Sequence, residues 1–345
     1  MALFDPPSRG EGPAAMPVEG SLADSFGRRF SYLRVSLTER CNFRCTYCLP
    51  NGFVKQKGLP AELSADEIAR AVSAFAQLGL WKVRLTGGEP TVRSDFADIV
   101  QGIAATEGIR RLAMTTNGYR LADNAREWRA AGIDAINISI DTLDREDFAR
   151  VTGHDRLDEV VSGVDAALDA GFSSVKVNSV LLRELRESGL EDILAFVTER
   201  DIAWRFIELM RTNDNAPFHR EQSTPGHAIL AQMEEEGWRE LPREAGAGPS
   251  RDFAHPDYRG RIGLIAPYAT GFCDSCNRLR LSSRGKLHLC LFGEDGLDLR
   301  DLLQGDEQQD DLVERILSAM PGKMRAHRLH DGNSGSTPHL ASIGG

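Results

Sequence analysis

The six cysteines of this 345-residue chain fall into two tight groups, one near each end. The groups are Cys41, Cys45 and Cys48, and then Cys273, Cys276 and Cys290. Core-filling cysteines would be scattered along the chain, and a disulfide framework is disfavoured in a cytosolic chain of this size. Clustered thiols at such short spacings are typical of ligands for a soft metal. The sequence therefore predicts a fold that builds two metal-binding loops.

The composition indicates a globular protein with a large core. Hydrophobic residues make up 41% of the chain, and 51 acidic residues against 41 basic ones give a formal net charge of −10. No apolar run approaches the roughly 18 residues of a membrane span, and the N-terminus lacks the features of a secretion signal. We therefore expect a cytoplasmic protein without membrane contact. The acidic balance also argues against nucleic-acid binding, which needs a broad basic surface.

Strand patterns alternate with helical patterns from about residue 31 onward. The predicted strands are Tyr32–Leu37, Trp81–Leu85, Arg111–Thr115, Ala135–Ile140, Ser174–Val180 and Ala203–Leu209. Several are continuous apolar or β-branched runs, as expected for buried parallel strands. Helices are predicted after a capping box at Ser64 and Glu67 and over Leu157–Ala170, Leu190–Arg200, Ala228–Glu236 and Asp311–Ala319. This alternation predicts an α/β fold with a parallel sheet, either open or closed into a partial barrel.

The first cysteine group directly follows the first predicted strand. In an α/β sheet this position is the carboxyl edge, where ligands collect. Three thiolates on one loop can hold three irons of a 4Fe–4S cluster and leave the fourth iron open for a ligand. The alternative is a structural zinc site, but the nearest histidine that could complete it, His154, is more than a hundred residues away.

The second cysteine group again offers three thiolates and no obvious fourth ligand. Zinc with His288 as the fourth ligand is one alternative, and a second cluster with an open iron is the other. Arg278 and Arg280 lie two residues apart on a strand-like run beside this group, so they point the same way. Such a pair is suited to binding a phosphate or carboxylate.

Further cations lie on or beside the predicted buried strands. These are Lys82, Arg84, Lys176 and Arg205. Because a buried strand seldom carries unpaired cations, we expect them to serve a site. The chain has neither a G-x-G-x-x-G after the first strand nor a G-x-x-x-x-G-K-[ST] phosphate loop, so a polyanionic ligand would depend on these side chains.

Taken together, these motifs resemble the GTP 3′,8-cyclase family of the radical S-adenosylmethionine (SAM) superfamily, from about Phe30 to Gly345. The C-x3-C-x2-C loop and Gly87–Pro90 resemble the superfamily, and the second group, the C-x2-C-N-R-L-R-L run and the final Gly-Gly resemble the family. The matching segments in between are Leu33–Ser36, Lys82–Arg84, Thr115–Gly118, Asn137–Asp141, Val175–Asn178 and Arg205–Met210.

The resemblance implies an incomplete (β/α)6 TIM-like barrel with a C-terminal cluster-binding extension. The expected segments are a mobile leader at 1–29, the partial barrel at 30–210, a connecting segment at 211–260, a C-terminal 4Fe–4S region at 261–320 and a tail at 321–345. Two 4Fe–4S clusters and SAM are the implied cofactors. Two features depart from the family: residues 211–260 match poorly, and the tail lacks a methionine often found before Gly-Gly.

The resemblance also assigns roles to individual positions. The metal ligands are Cys41, Cys45, Cys48, Cys273, Cys276 and Cys290, and catalytic roles fall on the first three of these and on Arg34. SAM is expected to contact Tyr47, Gly88, Ser139 and Met210. GTP is expected to contact Arg34, Lys82, Arg84, Thr115, Lys176, Arg205, Arg278 and Arg280. The terminal Gly344 and Gly345 are expected to enter the cavity.

The implied reaction is the radical closure of the 3′ ribose carbon of GTP onto C8 of guanine, the first step of molybdenum cofactor biosynthesis. The implied partners are a reductant such as flavodoxin or ferredoxin, cyclic pyranopterin monophosphate synthase downstream, and a second copy in a homodimer. Two alternatives stay open at this point: a radical SAM peptide or sulfatase maturase, and a zinc-stabilised binding module without catalysis. Iron content separates the last from the other two.

Overall fold

The computed structural model describes residues 22–55, 57–185, 189–244, 246–293, 296–337 and 339–344. Its strands, in chain order from β1 to β12, are Tyr32–Ser36, Lys82–Thr86, Arg111–Thr116, Ala135–Ser139, Ser174–Leu181, Ala203–Glu208, Arg239–Glu240, Arg251–Ala254, Arg261–Ile265, Arg278–Leu281, Lys286–His288 and Leu297–Asp298. The six strands predicted from the sequence are β1 to β6, and each starts or ends within one residue of its prediction. Continuous burial produces this agreement, since all five residues of β2 are buried.

One curved sheet contains all these strands, in the order β12-β11-β10-β1-β2-β3-β4-β5-β6-β9-β8-β7. Strands β10, β1 to β6 and β9 run parallel, while β11, β12, β8 and β7 pair antiparallel at the two edges. Because β12 and β7 are sheet edges that do not pair with each other, the barrel is incomplete, which confirms the predicted fold class. The sequence did not reveal that β9 and β10 flank the six-stranded barrel on either side.

The helices connect the parallel strands and cover the sheet. In chain order from α1 to α9 they are Ala65–Gln77, Phe96–Ala105, Leu121–Ala131, Arg145–Thr152, Leu157–Asp169, Leu190–Glu199, Ala216–Gln222, His227–Glu235 and Gln309–Ala319. The Ser64 hydroxyl caps α1 by accepting from the Glu67 amide, and the Glu67 carboxylate accepts from the Ser64 amide, as the capping box predicts. No helix in the described ranges is long and apolar enough to cross a membrane.

Two segments are more ordered than the sequence predicts. Of the predicted leader, residues 1–21 lie outside the described residues, but 22–29 pack on the barrel with Leu22 only 1% exposed. The Arg28 guanidinium there donates to the Cys273 carbonyl at 2.9 Å. The predicted connecting segment at 211–260 holds α7, α8, β7 and β8, so it extends the sheet beyond β9. The helix predicted at Ala228–Glu236 is α8, but the polar, proline-containing sequence gives no signal for β7 and β8, which lie at an exposed edge.

Candidate active site

One cavity of about 1410 Å³ is lined by residues of the parallel strands and the loops that follow them. Its wall includes all six cysteines: Cys41, Cys45, Cys48, Cys273, Cys276 and Cys290. The other predicted site residues in the wall are Arg34, Tyr47, Lys82, Arg84, Gly88, Thr115, Ser139, Lys176, Arg205, Met210, Arg278 and Arg280. The structure therefore brings together every predicted ligand-binding residue, and the identity of each residue's ligand stays a prediction.

The loop with the first cysteine group lies directly against the Gly87-Gly88 turn. The Gly88 amide donates to the Thr38 carbonyl at 2.7 Å, and the Glu89 amide donates to the Arg40 carbonyl at 2.8 Å. A Cβ atom at Gly88 would overlap the Arg40 carbonyl oxygen. Only glycine permits this approach, so the turn fixes the position of the cysteine loop relative to β2.

Glu89 connects this turn to the next loop along the sheet. Its buried carboxylate accepts from the Thr116 hydroxyl at 2.8 Å and from the Asn117 amide at 2.7 Å. Burial raises the pKa of Glu89, although these hydrogen bonds oppose the rise. The Asn117 side chain in turn donates to the Asn42 side chain in the cysteine loop at 2.7 Å. Glu89 thus holds the loops after β1, β2 and β3 together, a role that the sequence reasoning missed.

Tyr47 is held in place by a buried carboxylate. Its hydroxyl donates to the Asp141 carboxylate at 3.0 Å, and the Val180 amide donates to the same carboxylate at 2.8 Å. Burial raises the pKa of Asp141 to about 6. Asp141 lines the cavity beside the first cysteine group, yet the sequence reasoning singled out only Ser139 on this strand. The sequence did carry a signal for Asp141, because this carboxylate lies two residues after the end of the buried β4.

The first three thiols lie near one another in the cavity wall. They follow one another on a single loop, and each lies close enough to affect the charge of another. Burial raises the pKa of Cys41 to about 11 and that of Cys48 to about 12, so binding a metal must displace their protons. No three His, Cys, Asp or Glu side chains among the described residues converge as ligands of a single ion.

The middle of the cavity holds a cluster of cations around a buried tyrosine. The Arg84 Nε donates to the Tyr32 hydroxyl at 2.6 Å, and its Nη1 donates to the Met114 carbonyl at 2.8 Å. The Lys82 ammonium lies 4.6 Å from the centre of the Tyr32 ring. Burial raises the pKa of Tyr32, but the charges of Arg84, Arg34 and Lys82 outweigh it and lower the pKa to about 6. Tyr32 was missed because an aromatic residue at a strand start is typical of a core.

Burial lowers the pKa of two lysines in this cluster. For Lys82 the pKa is about 8, and for Lys176 it is about 7, with Arg205 and Arg84 contributing to the shift at Lys176. Arg205 is paired with the Asp252 carboxylate, with its Nε at 3.0 Å. Asp252 lies in the segment predicted to be a connector, and this is why the sequence reasoning missed it.

The second cysteine group lies beside a different set of charges. Burial raises the pKa of the Cys276 thiol. The positive charges of Arg278 and Lys323 lower that pKa by more than burial raises it, so the net shift is downward. Arg28 adds a smaller contribution of the same sign. The charges therefore favour a thiolate at Cys276, whereas burial raises the pKa of the Cys273 thiol.

The C-terminal tail reaches the cations between the two groups. The Gly344 carbonyl accepts from the Arg34 Nε at 2.9 Å and from Arg280, which also lies 3.3 Å from the Ile343 carbonyl. Gly344 has a φ of +67°, and a Cβ there would overlap the Thr86 side chain. Both facts require glycine at this position. The predicted entry of the tail is thus observed as far as Gly344, while Gly345 lies outside the described residues.

Several buried polar atoms near the cavity have no hydrogen-bond partner in the part of the chain that the structure describes. They include the side-chain oxygens of Asn137 and Asn178 and that of Asn277. Buried polar atoms are ordinarily hydrogen-bonded, so unpaired ones in a cavity wall indicate a place for a ligand. The first two belong to neighbouring strands, β4 and β5.

Comparisons with known proteins agree with this geometry. A family model described as the Radical SAM superfamily matches residues 35–197, and one described as Molybdenum Cofactor Synthesis C matches residues 202–329. Proteins named GTP 3′,8-cyclase from Aeromonas hydrophila and Yersinia pestis are each 52% identical, over 94% of this chain and 96% and 99% of theirs. The second family model covers the 211–260 segment that resembled the family poorly.

Solved structures show the same fold at lower identity. The structure of Streptococcus suis SuiB bound to S-adenosylmethionine covers 84% of this chain and 68% of its own, with a TM-score of 0.57 and 15% identity. At this identity the likeness concerns the fold alone. It places the incomplete barrel among known radical SAM folds.

Proposed function

The chain belongs to the GTP 3′,8-cyclase family of radical SAM enzymes, and we propose that it converts GTP to 3′,8-cyclo-7,8-dihydro-GTP inside the cavity described above. The observation that carries this proposal is a single cavity with three thiols at each of two places in its wall and a cluster of cations between them. The resemblance to the peptide-modifying alternative is limited to the fold, whereas the cyclase relatives match at about half of all positions.

The first cysteine group is proposed to hold the cluster that binds SAM. Cys41, Cys45 and Cys48 would be its ligands, with Tyr47 and Gly88 among the residues around SAM. When bound, this cluster supplies the electron that cleaves SAM to methionine and the 5′-deoxyadenosyl radical that abstracts the 3′ hydrogen of GTP. Asp141 fixes the Tyr47 ring through its hydroxyl, and the Gly88 backbone lies open to the cavity because no side chain covers it.

Ser139 and Met210 are proposed to complete the SAM site. Ser139 ends β4, and Met210 follows β6, so both lie at the carboxyl edge of the sheet with the first cysteine group. The Asn215 side chain donates to the Met210 carbonyl at 3.0 Å, which fixes the backbone there. This hydrogen bond holds the loop after β6 at the position of Met210.

The cations in the middle of the cavity are proposed to bind the triphosphate. Lys82 and Arg84 lie on β2, Lys176 on β5 and Arg205 on β6, and all four line the cavity. Burial and, to a smaller extent, the neighbouring cations now lower the pKa of the two lysines, and a triphosphate would supply the missing opposite charge. Thr115 presents its hydroxyl to Arg84 at 3.3 Å and faces the same cavity. Because the cations are buried, they lose little further solvation when GTP binds.

The second cysteine group is proposed to hold a cluster that places the purine end of GTP. Cys273, Cys276 and Cys290 would be its ligands, and Arg278 and Arg280 would bind GTP beside it. Gly344 holds the Arg34 and Arg280 guanidinium groups between the two cysteine groups, which gives the tail a positioning role. This arrangement would keep the ribose near the radical and keep water out.

The reductant, the downstream synthase, the homodimer and the cytoplasmic location remain proposals. They rest on the family resemblance.

The test is anaerobic reconstitution followed by metal analysis and turnover. We expect about eight irons and matching sulfide per chain, and GTP-dependent formation of 5′-deoxyadenosine and a cyclised nucleotide with dithionite as the electron source. Zinc without iron, or SAM cleavage that yields no cyclised GTP, would contradict the proposal.

A further inference from the structure

A glycine in β9 lets two charged side chains meet across that strand. Strands β6 and β8 pair with β9 on its two sides, and Arg205 on β6 and Asp252 on β8 are both in register with Gly263. Strands two places apart in a sheet lie about 10 Å from each other, so a side chain on the middle strand ordinarily separates those of its neighbours. Here the Arg205 Nε donates to the Asp252 carboxylate at 3.0 Å, across Gly263.

Glycine is required at this position of β9 for the two side chains to meet. A Cβ atom at Gly263 would overlap the Asp252 carboxylate and the Ser250 hydroxyl and would press against the Arg205 stem. The Ser250 hydroxyl donates to the same carboxylate at 2.6 Å, so Asp252 is held by a second partner. The sheet therefore has a built position for one carboxylate against Arg205.

This ion pair lies in the cavity wall, beside the cations proposed to bind the triphosphate. Arg205 and Asp252 both line the cavity, and their side chains are only 11% and 21% exposed. Burial raises the pKa of Asp252, but Arg205 and Lys176 outweigh it and lower the pKa, so this group is a carboxylate at neutral pH. Carboxylates and phosphates bind a guanidinium through the same pair of N–H groups. Asp252 thus occupies a position on Arg205 that a phosphate would take.

A second cation of the site also has a partner from the protein itself, but a neutral one. The Lys82 ammonium donates to the Gly246 carbonyl at 3.1 Å. A carbonyl has no net charge, so it can share an ammonium with a phosphate at little cost. The Asp252 carboxylate repels a phosphate beside it, because both are negatively charged. Asp252 is therefore the partner that should compete with a triphosphate.

We propose that Asp252 is a positioning residue for Arg205 and that the triphosphate of GTP displaces it from this guanidinium. The Asp252 carboxylate orients Arg205 in the free enzyme, and it lowers the affinity for the nucleotide because it competes for the same cation. This inference rests on the proposed function, which takes the cavity cations as the triphosphate site. The exchange breaks no covalent bond, since one anion replaces another on the same group.

A limit on triphosphate binding suits the proposed reaction. Cyclisation joins the ribose to the guanine, so the product retains the triphosphate of the substrate. Contacts with the triphosphate therefore bind substrate and product alike, and such uniform binding does not accelerate the chemical step. Stronger contacts would only slow the release of the product. The carboxylate limits this shared affinity while the cations stay in place.

Asp252 also affects the charge of Lys176, which provides a readout that a purely structural role would not change. Burial lowers the pKa of Lys176 to about 7, and the nearby cations Arg205, Arg84 and Lys82 lower it too, whereas Asp252 raises it. Without the Asp252 charge, more of the Lys176 side chains should be neutral in the free protein at pH 7. GTP binding must then take up more protons.

The test is calorimetric titration of GTP into anaerobically reconstituted enzyme at pH 7, in buffers of different ionisation enthalpy. Asp252→Asn removes the charge and keeps the shape, and Asp252→Ser replaces it if the asparagine variant does not fold. Asp252→Glu keeps the charge. The matched control is Asp165→Asn, because Asp165 forms a similar forked pair with Arg200, at 2.7 Å from its Nε, and neither residue lines the described cavity.

We expect Asp252→Asn to bind GTP about tenfold more tightly than the parent and to take up more protons on binding. Asp252→Glu should change the affinity less, and Asp165→Asn should match the parent in both measurements. Turnover at saturating GTP should fall in Asp252→Asn, since the product leaves more slowly.

GTP binding by Asp252→Asn that is equal to or weaker than that of the parent would overturn the proposal, because Asp252 would then serve only to hold Arg205 in place. Proton uptake identical to that of the parent would contradict it as well. If the parent itself binds no GTP, the proposed function fails, and this result is visible before any variant is compared.

Discussion

The two cysteine groups lie in the wall of the same cavity, and different charges lie beside the Cys48 thiol of the first and the Cys276 thiol of the second. At the first, burial raises the pKa of the Cys48 thiol to about 12, and the Asp141 carboxylate adds to the rise. At the second, Arg278 and Lys323 outweigh burial and bring the pKa of the Cys276 thiol below its ordinary value. Cys48 in the first group therefore lies near a carboxylate and Cys276 in the second lies near cations, while burial raises the pKa of Cys273 as it does for the first group.

This difference matches the charges of the two proposed ligands. SAM carries a sulfonium cation, which suits the end of the cavity that contains Asp141. GTP is a polyanion, which suits the end that contains Arg278, Arg280 and the strand cations. We therefore expect charge, as well as the cysteine motifs, to determine which ligand binds beside each group.

The largest expected effects come from removing one thiol from each group. Cys45→Ala should abolish 5′-deoxyadenosine formation, since the radical-generating cluster loses one of three ligands. Cys290→Ala should still cleave SAM but should lower the yield of cyclised GTP about 100-fold, because only the placement of the substrate is damaged. Both products are measured by chromatography after a single anaerobic incubation. Cyclisation at the parental rate in Cys290→Ala would make the second group merely structural.

The next largest effects should come from removing one charge at each end of the cavity, because each change should weaken the binding of only one ligand. Arg280→Ala removes a buried cation and should weaken GTP binding by about 10- to 100-fold while SAM binding is unchanged. Asp141→Asn keeps the shape at the other end and should weaken SAM binding but not GTP binding. The measurement is the equilibrium dissociation constant of SAM and of GTP for each of the two variants. Equal losses of both ligands in one variant would break the comparison.

Much of this fold could be predicted from the sequence because its central strands are buried on both faces. The predicted Ser174–Val180 differs from β5 by one residue, since its valines recur at every second or third position and every second residue is buried. Strands β7 and β8 were not predictable, because they lie at a polar edge and depend on pairing with β9. The parallel pairing of β10 with β1 joins segments more than two hundred residues apart, and no local pattern encodes it.

The tail offers a third test of the difference between the two cysteine groups, because the Gly344 carbonyl accepts from Arg34 and Arg280, which both line the cavity. Gly344→Ala should clash with Thr86 and strain the backbone at a φ of +67°, so the Arg34 and Arg280 guanidinium groups lose their shared acceptor. We expect about tenfold less cyclised product per 5′-deoxyadenosine, with iron content and GTP binding retained.

A second variant serves as the control for the tail. Deletion of Gly344 and Gly345 should give the same loss without introducing a clash. A parental product ratio in the deleted protein would mean that the tail is dispensable and that the Gly344 contacts do not serve the reaction.

The smallest expected effect is a pH dependence of GTP binding. Burial brings the pKa of Lys176 to about 7 in the free protein, so this lysine is charged below pH 7 and becomes neutral above it. GTP binds the charged form, so its affinity should fall by up to about tenfold per pH unit above 7 and binding should take up protons. Calorimetry at pH 8 in buffers of different ionisation enthalpy measures the uptake.

Lys176→Arg is the matched variant, because an arginine stays charged throughout this range. It should bind GTP with a smaller proton uptake than the parent. An identical uptake in the two proteins would show that Lys176 is already charged before GTP binds.

The candidate site was predictable where a motif marked it and not where a residue acts through another. Arg84 and Lys82 were found because cations are unusual on a buried strand. Tyr32, which accepts from Arg84, was not found, because its position in β1 is equally typical of a core aromatic. Asp252 was not predicted either, because it lies far from Arg205 in the sequence and only the fold brings the two side chains together.

The central claim is that the two cysteine groups serve different ligands, and equilibrium binding to the two cysteine variants tests it most directly. Labelled SAM and GTP are titrated separately into anaerobically reconstituted Cys45→Ala and Cys290→Ala, with iron content as the check that one cluster remains in each. We predict that Cys45→Ala loses SAM binding and keeps GTP binding, and that Cys290→Ala shows the reverse. Loss of the same ligand in both variants would contradict the account.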